Sequence, residues 1–313
     1  MHLRRTQQTT PDPASVGGTF NTADGTNSLV NVITGNANSG FGWFSFAQDF
    51  TGSFNTGVGT ATLVLNHADA NTAVATAALI LNVNGTQNTA CGTAAMVNTA
   101  GDDSGNGSFN SAVGAFALNA NETGFSNNAM GDSAMFRNVN GFANTAIGDF
   151  AMENSDSNGA GKANFNVAVG AQALQGNLDG DSNNAVGYLA LAGNLTALFN
   201  QAMGAEALSG NDDGVANVAI GDSAMFGSSS GSFNTVIGDL AGPDITDGTD
   251  NIYIGADAGD GVGNESETIR IGEPGFIGAC FIQGISGVEV TGDPGMVDAN
   301  GQLGATLRAI LSR

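Results

Sequence analysis

The sequence predicts an all-β chain wound as a parallel β-solenoid of about fifteen coils. Three observations carry that prediction: an Asn that returns at near-constant spacing, an aliphatic residue three places after it, and a composition rich in Gly and poor in charge. The Asn stands at Asn21, Asn38, Asn55, Asn71, Asn88, Asn110, Asn127, Asn144, Asn166, Asn183, Asn200, Asn217, Asn234 and Asn251, with Thr268 in the same slot of a last copy. Of the fourteen intervals eleven are 17 residues, one is 16 and two are 22. Periods of this length mark stacked supersecondary units that cannot bury their apolar side chains alone.

Within one unit the stretch Asn110-Ser111-Ala112-Val113-Gly114 is typical. Five residues with an apolar, mostly β-branched fourth slot and a closing Gly suit a short strand and are too few for a helix. A second apolar pair follows, as in Ala117-Leu118 or Ala207-Leu208, and then a turn such as Asn121-Glu122-Thr123-Gly124 or Asn211-Asp212-Asp213-Gly214. Each unit therefore reads as two short strands and two turns. Stacked units pair through parallel hydrogen bonds at about 4.8 Å per step, giving a rod roughly 65 Å long. The slot-one residues, including Asn55, Asn88, Asn110, Asn144, Asn166, Asn183, Asn217 and Asn234, are then predicted to form a structural side-chain ladder.

Period-two alternation puts the second and fourth slots on one face and the third on the other. Asn251-Ile252-Tyr253-Ile254-Gly255 and Thr268-Ile269-Arg270-Ile271-Gly272 place apolar residues around a Tyr or Arg, so the third slot is expected to face outward. That slot holds Ala112, Ala129, Ala146, Ala168, Ala185, Ala202 and Ala219. Read this way, the small residues form an assembly face along which rods associate laterally; the alternative is a solvated strand that merely tolerates Ala. Phe20, Phe54, Phe109, Phe165, Phe199 and Phe233 precede the Asn and form a partial aromatic row at the coil corner.

Composition removes several function classes. Seven Lys or Arg stand against 29 Asp or Glu among 313 residues, a net charge of −22, so a nucleic-acid partner is excluded. No apolar run is long enough to span a membrane, and the first residues lack the apolar stretch of a secretory signal. Cys91 and Cys280 have no ligand neighbours at metal spacing, so neither a zinc site nor any other cofactor is expected. Cys91 occupies an aliphatic slot and reads as a small buried hydrophobe.

Catalysis is not expected. His2 lies in the N-terminal tail and His67 in a turn, which leaves no His-based triad. Asp132, Asp149, Asp222 and Asp239 recur after the slot-five Gly in some copies only, as a solvated acidic edge rather than a carboxylate pair. The turns Asp102 to Asn106 and Glu153 to Asn158 fall in the two 22-residue intervals and offer oxygen ligands for incidental calcium, without the Gly-x-Asp repeats of calcium-binding solenoids. Thr56, Thr72 and Thr89 give way to Ser111, Asn128, Val167 and Gln201, too irregular for an ice-binding face.

The units Asn110-Ser111-Ala112-Val113-Gly114 and Asn144-Thr145-Ala146-Ile147-Gly148 resemble the head repeats of trimeric autotransporter adhesins, the YadA-like family, over roughly Asn21 to Gly272. The resemblance implies a left-handed β-roll, a homotrimer, an extracellular or cell-surface location and a surface, matrix or glycan ligand. The unit here is longer than the usual head repeat, and neither a heptad stalk nor a membrane-anchoring barrel segment is recognisable. The segment from Phe276 to Gly304 looks like the junction that precedes a self-cleaving intramolecular chaperone in related fibres. That cleavage uses a Ser and Lys pair, and with no Lys after Lys162 no protease activity is expected. The expected organisation is a tail over 1–20, a solenoid over 21–275 and a junction segment over 276–313. The expected function is a non-enzymatic adhesin or surface-fibre head, with a subunit of an end-to-end filament or phage-like tail fibre as the alternative.

Overall fold

A computed structural model describes residues 20–48, 51–99, 101 and 106–273, with the backbone of 295–297 and 303–305. The chain divides into two compact units, Met1–Phe276 and Ile277–Arg313. The first holds fifteen three-residue strands: β1 (Thr22–Asp24), β2 (Ser39–Phe41), β3 (Thr56–Val58), β4 (Thr72–Val74), β5 (Thr89–Cys91), β6 (Ser111–Val113), β7 (Asn128–Met130), β8 (Thr145–Ile147), β9 (Val167–Val169), β10 (Asn184–Val186), β11 (Gln201–Met203), β12 (Val218–Ile220), β13 (Thr235–Ile237), β14 (Ile252–Ile254) and β15 (Ile269–Ile271). They form one sheet in sequence order, every neighbouring pair parallel, which is the predicted β-solenoid of mostly 17-residue coils. In the second unit β16 (Gly295–Val297) and β17 (Leu303–Ala305) pair antiparallel, and the rest of the junction segment, Cys280 included, lies outside the described residues.

Register is unbroken across both long intervals: Thr89 pairs with Ser111 and Thr145 with Val167, so five additional residues do not shift the strand pairing. Hydrogen bonding along the rod continues past the strands. Phe116 N–H donates to Thr93 and Leu118 N–H to Ala134, at 2.9 and 3.0 Å, so the turns stack as regularly as the sheet. The slot-five Gly closes every strand but β4, which Ala75 follows, where backbones approach closely: at Gly114, φ is 137° and a Cβ would lie 2.3 Å from the Gly131 carbonyl oxygen. A residue without Cβ fits that contact at Gly114.

The third slot faces inward, which corrects the predicted assembly face. Ala112, Ala129, Ala146, Ala168, Ala185, Ala202 and Ala219 are all buried in the core of their own chain, alongside Ala117 and Leu118 and their equivalents. The coil is too narrow for a larger third residue opposite a Leu or Met, so the position is small because it is interior. The aliphatic fourth slot points to the outside instead, with Val113, Met130 and Ile147 between 39% and 53% exposed.

Candidate functional site

Two inner ladders fix the coil behind the outer face of its sheet. In the first, each slot-one Asn accepts through Oδ1 the backbone N–H of its counterpart in the next coil, as between Asn127 and Asn144 at 3.0 Å or Asn144 and Asn166 at 2.9 Å. Its Nδ2 donates to a carbonyl at the far turn of its own coil, for example Asn110 to Gly124 at 2.9 Å. All of Asn55, Asn88, Asn110, Asn144, Asn166, Asn183, Asn217 and Asn234 are buried and bonded in this way. Each side chain thus satisfies a backbone donor that a short strand leaves over.

The second ladder was hidden in what reads as turn sequence. Asn82 donates to Asn66, Asn138 to Asn121 and Asn194 to Asn177, at 2.7 to 3.0 Å, all fully buried. Where Ser155 and Ser228 interrupt it, the Oδ1 of Asn138 and of Asn211 are left without a partner. The recurrence of Asn eleven residues after the slot-one Asn, at Asn121, Asn138, Asn177, Asn194 and Asn211, is the signal that reveals it.

The outer face of the sheet carries the fourth-slot column, continuous from Phe41 to Ile271, with the second slot beside it. From β2 to β14 neither column holds a charged residue. Cys91 lies exposed within the column, not buried as its aliphatic slot suggested. Thr56, Thr72, Thr89 and Ser111 sit on the same face as neighbours in register. At the corner before each strand, Phe54, Phe109, Phe165, Phe199 and Phe233 are 55% to 67% exposed, each with φ near +60°.

The carboxylates do not converge. Asp132, Asp149, Asp222 and Asp239 are exposed on the outer edge, and Asp149 accepts the Asp132 N–H at 3.0 Å. In the second long interval Asp156 is buried, its carboxylate accepting backbone N–H groups of Asn140, Gly161 and Lys162 at 2.6 to 3.3 Å. It anchors the insertion to the rod. Of the first insertion only Gly101 and Asn106 are described. Among the described residues no three His, Cys, Asp or Glu side chains gather as metal ligands, and no helix is long and apolar enough to cross a membrane.

Among the described residues, the groups with shifted pKa values gather at the C-terminal end of the stack. Glu265 accepts from Arg270 through Nε at 2.5 Å and Nη2 at 2.8 Å, and from the Tyr253 hydroxyl. The Arg270 guanidinium, helped by the Tyr253 hydrogen bond, holds the Glu265 carboxyl below the usual carboxylate range although burial opposes it. Burial, with the Glu265 carboxylate beside it, pushes the Tyr253 hydroxyl far up. The cluster ties the end of the coil containing β14 to β15. No protein-family model matches this chain, and neither does any curated protein.

Proposed function

We propose that the chain is a non-enzymatic rod of an extracellular adhesin or surface fibre, assembled as a homotrimer through the outer column of its sheet. The supporting observation is a column of exposed Val, Ile and Met, free of charge from β2 to β14, on a chain of net charge −22. Copies of a polyanion associate most readily where neither brings charge, and monomers rarely leave so long an apolar strip uncovered. The repeated Asn-x-Ala-aliphatic-Gly unit, with its resemblance to trimeric adhesin heads, supports three copies and a surface location. The outer turns, above all the insertion around Ser155 to Gly161, offer the surface for a matrix or glycan ligand.

Light scattering coupled to size exclusion tests the assembly. The intact chain is expected at three times 31.1 kDa, and a Val113→Lys, Ile147→Lys variant at one chain. A monomer in both removes the trimer, and large species that grow with concentration favour end-to-end filaments. Adhesion of protein-coated beads to matrix and glycan surfaces, with and without residues 157–161, tests the ligand surface. Equal adhesion by both forms places it elsewhere.

A further inference from the structure

We propose that the Phe row at the corner before the strands is a self-complementary docking surface, on which a second copy lies antiparallel with its rings seated in the gaps of this row. This pairing goes beyond the trimer reading and does not rest on it, because it uses the coil corner rather than the aliphatic column.

The rings precede β1, β3, β6, β9, β11 and β13, so no two occupy adjacent coils. The gaps hold Ala37, Ala70, Ser126, Ser182 and Ala216, with Gln87 and Ala143 in the remaining two. Stacking does not forbid adjacent rings. One residue earlier in the coil, Phe125 and Phe142 lie on adjacent coils with centroids 4.8 Å apart and planes 3° from parallel. The vacancies in the Phe row are therefore a feature of the surface and not a packing constraint.

Two rings on alternate coils are about 10 Å apart, and a third ring placed midway lies about 5 Å from each, within the favoured range for aromatic pairs. An antiparallel copy with its β6 opposite this β7 meets that condition at β2, β10 and β12, and at β4 and β7 sets its ring one step from a single ring. Its Phe199, Phe165, Phe109, Phe54 and Phe20 fall at the levels of β2, β4, β7, β10 and β12, all gaps, and its Phe233 falls just beyond β1. The gaps at Gln87 and Ala143 stay empty. The two copies are related by a two-fold axis, so the contact closes on itself.

Charge selects this orientation over a parallel one staggered by one coil. Eight carboxylates lie between Asp239 and Glu267 with no Lys or Arg among them, against three between Asn21 and Ala100. A parallel pair sets the two acidic ends side by side, whereas an antiparallel pair separates them by most of the rod, several Debye lengths at physiological salt. The row itself carries no charge from β1 to β13. With Phe20 89% exposed and the other four seated rings at least 55%, their exposed area equals a little over three whole side chains. At about 150–250 Å² per aromatic side chain that approaches the roughly 800 Å² per partner of a stable interface.

The test is sedimentation velocity over a concentration series on the full chain carrying Val113→Lys and Ile147→Lys, which silences the sheet face. Reversible exchange between one and two chains is expected. Adding Phe165→Ser and Phe199→Ser, or filling gaps with Ser126→Phe and Ser182→Phe, is expected to raise the dissociation constant at least about tenfold. Ala143→Phe, which fills an unused gap one step from the partner's Phe109, displaces no seated ring and is expected not to raise it. Ser, Ala and Phe all occur at this slot in the chain, and circular dichroism checks the fold of each variant. A single chain at every concentration overturns the pairing, as does tighter association on filling the gaps at Ser126 and Ser182, which means unspecific hydrophobic contact. A spin label at Thr235→Cys, in a chain with Cys91→Ser and Cys280→Ser, is expected to lie about 60 Å from its partner. A distance near 20 Å overturns the antiparallel arrangement.

Discussion

A Cβ added at Gly259 would stand 2.2 Å from Cε2 of Tyr253, so the one large third-slot side chain in the core is accommodated by the absence of any side chain where other coils place Leu or Met. The exchange also runs the other way. Phe46 fills the inner apolar position of the coil containing β2, and the third slots beside it are Gly40 and Gly57, whose Cβ atoms would fall 3.2 and 2.6 Å from its ring. Each coil encloses a near-constant volume that its two inner positions share.

Gly259→Ala alone is expected to destabilise the chain by about 1–3 kcal/mol through overpacking, with the strain of φ +83° added. Combined with Tyr253→Ala, the steric part of that loss should disappear. A double-mutant cycle in chemical denaturation measures the coupling. Additive losses would mean that the two side chains do not compete for one space.

The Glu265 cluster makes stability depend on pH at both ends. A depressed folded pKa contributes stability above the ordinary carboxylate value, lost as pH falls through the folded value. The gap in melting temperature between the native chain and Glu265→Gln should therefore close in acid. The raised Tyr253 acts in the opposite sense: its contribution is complete below the usual tyrosine value near 10 and declines above it. Tyr253→Phe should lack this alkaline decline. A gap of constant size from pH 2 to 11 would sink both assignments.

Ala146→Leu and Ile147→Thr separate the two faces of one strand. Ala146 is fully buried, so a Leu there should cost about 3 kcal/mol or prevent folding. Ile147 is 42% exposed, and Thr in its place should change single-chain stability by less than about 1 kcal/mol. Urea titration at concentrations where the chain is monomeric compares them, and equal effects would contradict the inward third slot.

Ser155→Asn should mend the second ladder. It offers an Nδ2 donor to the orphaned Oδ1 of Asn138 and an acceptor to Asn177 in the next coil. A gain of about 1 kcal/mol in unfolding free energy is expected. A loss would show that the insertion beginning at Asp156 fixes the smaller residue.

The period and the slot-one ladder were legible because stacked coils must repeat wherever a side chain bonds to its own counterpart, as Asn127 does to Asn144. The direction of the strand faces was not. Alternation fixes which residues share a face but not which face is inside, and here the outer column of Val and Ile is more apolar than the inner column of Ala. Paired size changes held the answer: Tyr253 with Gly259, Val236 with Gly242, Phe46 with Gly40 and Gly57 all trade volume within one interior. The left-handed backbone at Phe116, Leu118 and Phe109 was illegible for a different reason. Such φ values disfavour residues other than Gly, Asn and Asp, and it is the stacked coils that hold these three there.

Every bond of the Asn ladders reaches only within its coil or to an adjacent one. Where adjacent coils share the same inner pair, as the units beginning at Asn166, Asn183 and Asn200 share Ala with Leu, deleting or duplicating one 17-residue unit therefore removes or adds an equivalent set of contacts. Such a change alters the length of the stack in steps of about 5 Å, so reach can vary by whole coils without redesigning the fold.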